Sequence, residues 1–164
     1  TTLFTMDTLQ DCKLTYFGLP GRAESVRLAL LLSKVKFNDN RITFADWGAL
    51  KDSTPWGSLP LLELKDGTII AQTKAILRIV GKVGGLYPTD PIAAAKVDEI
   101  IDMLDDVFGN SLNNAGRGLE KEAKEATRAE FITTGAGGKA LRTLDEKIGK
   151  NAKGGYTVGD SLTT

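Results

Sequence analysis

A chain of 164 residues, 41% hydrophobic and 26% charged, has the make-up of an ordinary globular protein and is long enough for one large domain or two small ones. Lys plus Arg equals Asp plus Glu at 21 each, so no net field draws the chain to nucleic acid or anionic lipid. Histidine is absent and Cys12 is the only cysteine, which excludes Ser-His-Asp and Cys-His catalysis, most zinc sites and a C-x-x-C redox pair.

Any chemistry must therefore come from Tyr, Ser, Thr, carboxylates, Lys or Arg. The longest apolar run, Leu28–Leu32, is too short for a membrane span. No signal peptide or Arg-rich leader is visible, and the start at Thr1 leaves open whether an N-terminal segment was removed.

In chain order, Lys13–Phe17 predicts a strand that ends at Gly18-Leu19-Pro20-Gly21. Residues 22–33 follow with helical periodicity through Ala23, Val26, Leu30 and Leu31. Lys36–Ile42 predicts a second strand, and a loop with a short helix comes next. Residues 61–64 and 68–71 flank Lys65-Asp66-Gly67, the signature of a hairpin with Asp-Gly at its turn. Thr73–Val83 predicts a helix with Ala75, Ile76, Ile79, Val80 and Val83 on one face.

This order, β-α-β then β-β-α, predicts an α/β domain with a mixed sheet over residues 11–85. Gly84–Pro91 reads as a linker, and no proline occurs beyond it. Residues 92–108 predict the strongest helix, capped by Asp90 with Pro91 in its first turn, and with Val97, Ile100, Ile101, Leu104, Val107 and Phe108 as its apolar stripe. A loop is expected over 109–118. Residues 131–150 have helical spacing interrupted by Gly135, Gly137 and Gly138, at about 0.5–1 kcal/mol for each mid-helix glycine. The second domain, 90–164, is thus expected to be all-helical.

Several segments then resemble one family. They are Lys13–Phe17 with Gly21-Arg22-Ala23-Glu24, Asp46-Trp47 with Lys51, Pro55–Glu63, Gln72–Ile76 and Val97–Asp106. In this order and spacing they resemble the sigma class of glutathione transferases, the tyrosine-dependent kind. The resemblance implies a thioredoxin-like N-terminal domain followed by an all-α domain. It implies an enzyme that conjugates glutathione, its co-substrate, to a hydrophobic electrophile, or one that isomerises a lipid peroxide. It also implies a cytoplasmic homodimer, an organelle being left open, with no resident metal; the charge balance and the short apolar runs add the expectation of no nucleic-acid partner and no membrane span.

Residue by residue, Tyr16 matches the catalytic tyrosine, and Arg22 an arginine near the reacting sulfur. Leu59-Pro60 matches the family's cis-proline turn, whose backbone pairs with the cysteinyl unit. Gln72-Thr73 stands where the family has Gln-Ser at a helix N-terminus for the γ-glutamyl carboxylate, and Trp47 and Lys51 match the holders of the glycine carboxylate. Ser58 departs from the family's Lys or Gln, so one contact to the tripeptide is missing or passes through water. Asp106, with Asp102 and Asp105 beside it, matches the acidic residue that reaches glutathione in the neighbouring subunit.

Each residue also has a plainer reading: a strand-end aromatic, a solvated lysine, a helix cap, an acidic solvated face whose oxygens suit at most Ca²⁺ or Mg²⁺. Gly154–Thr164 resembles the opening of the family's buried helix, with Ser161 as its N-cap, and the chain stops there. The alternative is therefore a non-catalytic subunit that keeps the fold inside a larger assembly. A thioredoxin-like redox protein fails for want of an active-site cysteine.

Overall fold

The structure, a computed structural model, describes residues 5–112, 114–151 and 155–163. The chain forms two compact units, one reaching to Thr89 and the other spanning Asp90–Thr163.

The first unit is built on a four-stranded sheet. Its strands are β1 (Cys12–Phe17), β2 (Phe37–Ile42), β3 (Leu61–Glu63) and β4 (Ile69–Ala71), in the spatial order β2-β1-β3-β4. Strand β1 runs parallel to β2, with Leu14 opposite Asp39 and Tyr16 opposite Arg41. It is antiparallel to β3, which is antiparallel to β4. The Asp-Gly turn joins β3 to β4 as expected: Asp66 accepts from the Thr68 amide at 2.9 Å, and Gly67 takes the positive φ of 84° that the turn needs.

The helices of this unit are α1 (Met6–Leu9), α2 (Glu24–Leu32), α3 (Phe44–Leu50) and α4 (Thr73–Gly84). Residues 21–23 form a single 3₁₀ turn ahead of α2. Helix α1, which no periodicity announces in so short a segment, places Leu9 fully in the core. Leu9, Leu14, Val26, Leu30, Leu62, Ile76 and Val80 all share that core, so β1 is central and α2 and α4 lie against it.

Two faces differ from their expected composition. On α2 the buried residues are Val26, Arg27, Ala29 and Leu30, whereas Leu31 is 61% exposed. A charged residue, Arg27, has taken a core position. On α4, Leu77 and Gly81 are buried in place of Ala75, which faces solvent. Ile76 and Val80 are buried as expected.

The second unit contains α5 (Pro91–Leu104), α6 (Lys121–Thr133) and α7 (Ala136–Lys150). Asp90 caps α5 by accepting from the Ala93 amide at 2.8 Å, with Pro91 in the first turn. Beyond Leu104 the helix widens into a π-helical segment, Asp105–Leu112, where a loop was expected from residue 109. Phe108 of this segment meets Phe131 of α6 edge-on, with ring centroids 6.4 Å apart. Of the stretch read as a helix opening, Gly154 and Thr164 lie outside the described residues. Residues 155–163 are irregular with one turn at 159–160, anchored where Asn151 Nδ2 donates to the carbonyls of Tyr156 and Gly159.

The glycines at 135, 137 and 138 mark a break between two helices rather than weak points inside one. Gly135 precedes the first turn of α7, and Gly137 and Gly138 are buried within that turn. A Cβ on Gly138 would stand 2.2 Å from the Thr133 carbonyl oxygen and 2.6 Å from that of Ile132; one on Gly137 would stand 2.7 Å from the Phe131 ring. The start of α7 therefore lies directly on the end of α6, where Arg142 also donates to the Thr133 carbonyl at 2.9 Å. Helix propensity favours Ala over Gly by about 0.5–1 kcal/mol, but overpacking against backbone costs about 1–3 kcal/mol. Gly138→Ala is expected to lower the midpoint of thermal unfolding by several degrees; a raised midpoint would show that the close approach is not tight.

Candidate active site

The side chains with chemical potential in the first unit gather where β1 runs out. Tyr16, the penultimate residue of β1, is only 8% exposed. Its ring lies edge-on to Phe17, with centroids 5.4 Å apart, and Phe17 in turn stacks on Phe44 at 4.5 Å and meets Trp47 edge-on at 6.3 Å. Helix α3 thus contributes Phe44 and Trp47 to an aromatic cluster beside the phenol. That helix starts at a capping box in which Thr43 and Asp46 exchange hydrogen bonds. The Thr43 bonds hold the Asp46 carboxyl below its usual range.

The Tyr16 hydroxyl accepts a hydrogen bond from the Arg22 amide at 3.1 Å. A phenol that accepts through a lone pair keeps its own proton to donate. Gly21 makes this approach possible. It has φ of 46°, and a Cβ there would lie 2.7 Å from the phenolic oxygen. From the other side, Thr73 Oγ1 donates to the Arg22 carbonyl at 3.2 Å. The turn that receives the phenol is thereby tied to the first residue of α4. The Arg22 side chain itself is exposed.

The structure brings Tyr16, Arg22 and Thr73 into one hydrogen-bonded set. Gln72, which precedes α4, has φ of 74° and ψ of 117° and supplies no side-chain cap. A non-glycine residue so placed costs about 1–3 kcal/mol, and it is followed directly by the first turn of α4, whose amides point toward the helix N-terminus. Trp47 and Lys51 stand one helical turn apart, with Lys51 closing α3 by donating its amide to the Trp47 carbonyl. The exposed Lys51 side chain runs past Gly57, where a Cβ would be 3.6 Å from its Cε. Ser58 and Leu59 are half-buried, Pro60 is buried, and the Leu59–Pro60 peptide is cis. Asp106 belongs to the second unit and is exposed on its π-helical segment.

Two other groups are chemically informative. Cys12 is fully buried, and burial pushes its thiol up to about 11, so it is no nucleophile. Among the described residues, no cluster of three or more Cys, Asp or Glu is placed to hold a metal ion, the acidic side of α5 included.

Reading the sequence missed Arg27, Asp39, Phe44 and the role of Gly21. Only Arg27 left a signal, as a charge among the apolar positions of α2. Its guanidinium is 6% exposed and pairs with Asp39 of β2 at 3.0 Å. Burial by itself opposes ionisation of Asp39, but hydrogen bonds from Arg41 and Arg27 outweigh it and hold the carboxyl below its ordinary range.

The glutathione S-transferase N-terminal domain family matches residues 12–81. Glutathione S-transferase 1 of Ascaris suum is 41% identical over 154 residues, covering 92% of this chain and 73% of that protein. The chain belongs to the glutathione S-transferase family. The hematopoietic prostaglandin D synthase of Gallus gallus is 43% identical over 158 residues, which is 94% of this chain and 74% of that one. Among solved structures, the glutathione S-transferase of Ascaris lumbricoides matches with a TM-score of 0.78 at 37% identity, covering 93% of this chain and 74% of its own. The thioredoxin-like sheet with a helical C-terminal region is the fold of this family.

Gly21→Ala is expected to destabilise the chain by about 1–3 kcal/mol and to move Tyr16, read as a lower unfolding midpoint and a changed near-ultraviolet tyrosine signal. An unchanged spectrum would mean the phenol is not seated against residue 21. Cys12 should resist a disulfide-based thiol reagent in the native chain and react only on unfolding; rapid native reaction would contradict its burial.

Proposed function

We propose that the first unit binds reduced glutathione beside α3, the 57–60 segment and the N-terminus of α4, and that Tyr16 stabilises its thiolate for attack on a hydrophobic electrophile. The observation that carries this reading is the Tyr16 hydroxyl accepting from the Arg22 amide at 3.1 Å, its proton still to be given. A cysteine-like thiol with pKa near 8.5 is only a few per cent ionised at neutral pH. Lowering that value by about two units requires roughly 2.7 kcal/mol in favour of the thiolate. One hydrogen bond to a charged acceptor contributes about 1.5–3 kcal/mol. A single phenol therefore comes close to what is required, and the amide behind it sharpens its donor strength.

The other roles follow the shape of the tripeptide. The first-turn amides of α4, behind Gln72 and Thr73, take the γ-glutamyl carboxylate. The Thr73 proton is turned to the Arg22 carbonyl, so the amides rather than the hydroxyl are the principal donors. The backbone of Leu59, ahead of Pro60, pairs with the cysteinyl unit, with Ser58 beside it making at most a short polar contact. Trp47 and Lys51 meet the glycine carboxylate, and Arg22 supplies positive charge near the sulfur. In a homodimer, Asp106 would meet the amine of glutathione held by the neighbouring subunit. We read the protein as a cytoplasmic enzyme.

A second reading, isomerisation of a lipid peroxide at the same thiolate, is favoured by the identity to prostaglandin D synthases. The structural-subunit alternative has no such support, since the relatives carry the names of enzymes.

Tyr16→Phe is the deciding test. Glutathione affinity measured by calorimetry should change little, while turnover of an aromatic halide should fall roughly ten- to a hundredfold. The pKa of bound glutathione, followed by thiolate absorbance, should move up toward that of the free thiol. A variant as fast as the parent would remove Tyr16 from the role.

A further inference from the structure

We propose that Arg27 is a positioning residue for the thiolate-stabilising hydroxyl, acting through the turn 17–20 that carries the Arg22 amide to Tyr16. This rests on the assignment of Tyr16 as the activating group.

Phe17 ends β1 opposite Ile42, and from there the chain leaves the sheet. Residues Gly18, Leu19 and Pro20 are exposed, and none of the backbone hydrogen bonds found outside helices and strands among the described residues involves them. From beneath, the buried guanidinium of Arg27 reaches three of the segment's carbonyls. Nη1 donates to Leu19 O at 3.2 Å and Pro20 O at 3.3 Å, and Nη2 donates to Phe17 O at 3.4 Å. Nη1 also meets Glu24 at 3.0 Å, and Nε meets Asp39 at 3.0 Å. The second Asp39 oxygen is held by Arg41 at 2.7 Å.

A planar fork with five donors suits this work, because its plane and its contact directions are fixed together. Asp39, opposite Leu14 in the sheet register, fixes the plane to β2. The fork in turn fixes Phe17 O, Leu19 O and Pro20 O, and the next two residues are Gly21 and Arg22. Gly21 packs so closely on the phenol that a Cβ would stand 2.7 Å from its oxygen. The Arg22 amide is the hydroxyl's partner at 3.1 Å. A shift of the turn by a fraction of an ångström would therefore loosen that bond and turn the phenol away from the sulfur. A core position on α2 has been given to a charge that makes five contacts, three of them to this one turn.

Lysine at this position keeps the charge but supplies one ammonium point, which cannot span Asp39 and all three carbonyls. In full-length chain, Arg27→Lys and Asp39→Asn are expected to raise the pKa of bound glutathione by roughly half a unit to one unit and to lower kcat about three- to tenfold. The KM for glutathione should stay within about twofold, because neither side chain is placed among the tripeptide's contacts. Combined with Tyr16→Phe, either substitution should add almost nothing further, since the hydroxyl it positions is gone.

The outcomes separate cleanly. If Tyr16→Phe alone leaves the thiolate pKa unmoved, the parent reading fails. If Tyr16→Phe moves it but folded Arg27→Lys and Asp39→Asn do not, or if their effects add fully to it, Arg27 positions nothing. Loss of the folded near-ultraviolet signal in both variants would also overturn the proposal, placing Arg27 in the folding of the unit instead.

Discussion

The site we propose turns on one contact, the Arg22 amide donating to a phenol that stands almost against Gly21. A strand can deliver an aromatic ring to its end, but it cannot by itself orient the hydroxyl. That orientation comes from backbone outside the sheet, and the backbone there is an exposed turn. The fold fixes the turn from three sides: the phenol takes the Arg22 amide, Thr73 donates to the Arg22 carbonyl, and Arg27 gathers the carbonyls before it. Rigid elements on either side of a short irregular segment are what preorganise it.

The same arrangement explains why α2 tolerates a buried arginine. A charge taken out of water is costly unless its donors are satisfied. Arg27 has two carboxylates and three carbonyls for partners. Burial opposes its charge, and the bonds to Asp39 and Glu24 more than restore it. A well-packed apolar residue could fill that space but could not hold three carbonyls. The second unit shows the same economy in apolar form, since Gly137 and Gly138 let the start of α7 rest on the end of α6 where any side chain would collide.

With no histidine among its 164 residues and Cys12 buried, the chain offers neither an imidazole base nor a reactive thiol of its own. A transferase of this kind needs neither. Its nucleophile arrives with the co-substrate, and the protein supplies only positioning and a hydrogen bond to charge. The role proposed for Tyr16, one hydrogen bond from a neutral phenol, asks for no more than that. It also places selectivity for the second substrate in the surfaces that surround the sulfur rather than in the catalytic group.

The strands, the Asp-Gly turn, α4 and the capped start of α5 were legible because each rests on local physics: alternation, a turn needing positive φ, a carboxylate accepting from the amide three residues on. The order of motifs also carried the family, and with it Tyr16, Trp47, Lys51, Leu59-Pro60 and Gln72-Thr73 as candidates. Periodicity could not distinguish Leu31 from Arg27, since both lie near the apolar side of α2 and a sequence does not say which of them will find partners. It read the glycines of the second unit as a weakness, because helix propensity is local and the close approach of two helices is not. What the sequence determined was the kind of chemistry open to this protein and the residues available for it. Only the tertiary structure decided that Asp39, twelve residues on from Arg27, would turn that guanidinium toward the Tyr16 turn, because a hydrogen-bonded charge is placed by partners that meet only when the sheet has formed.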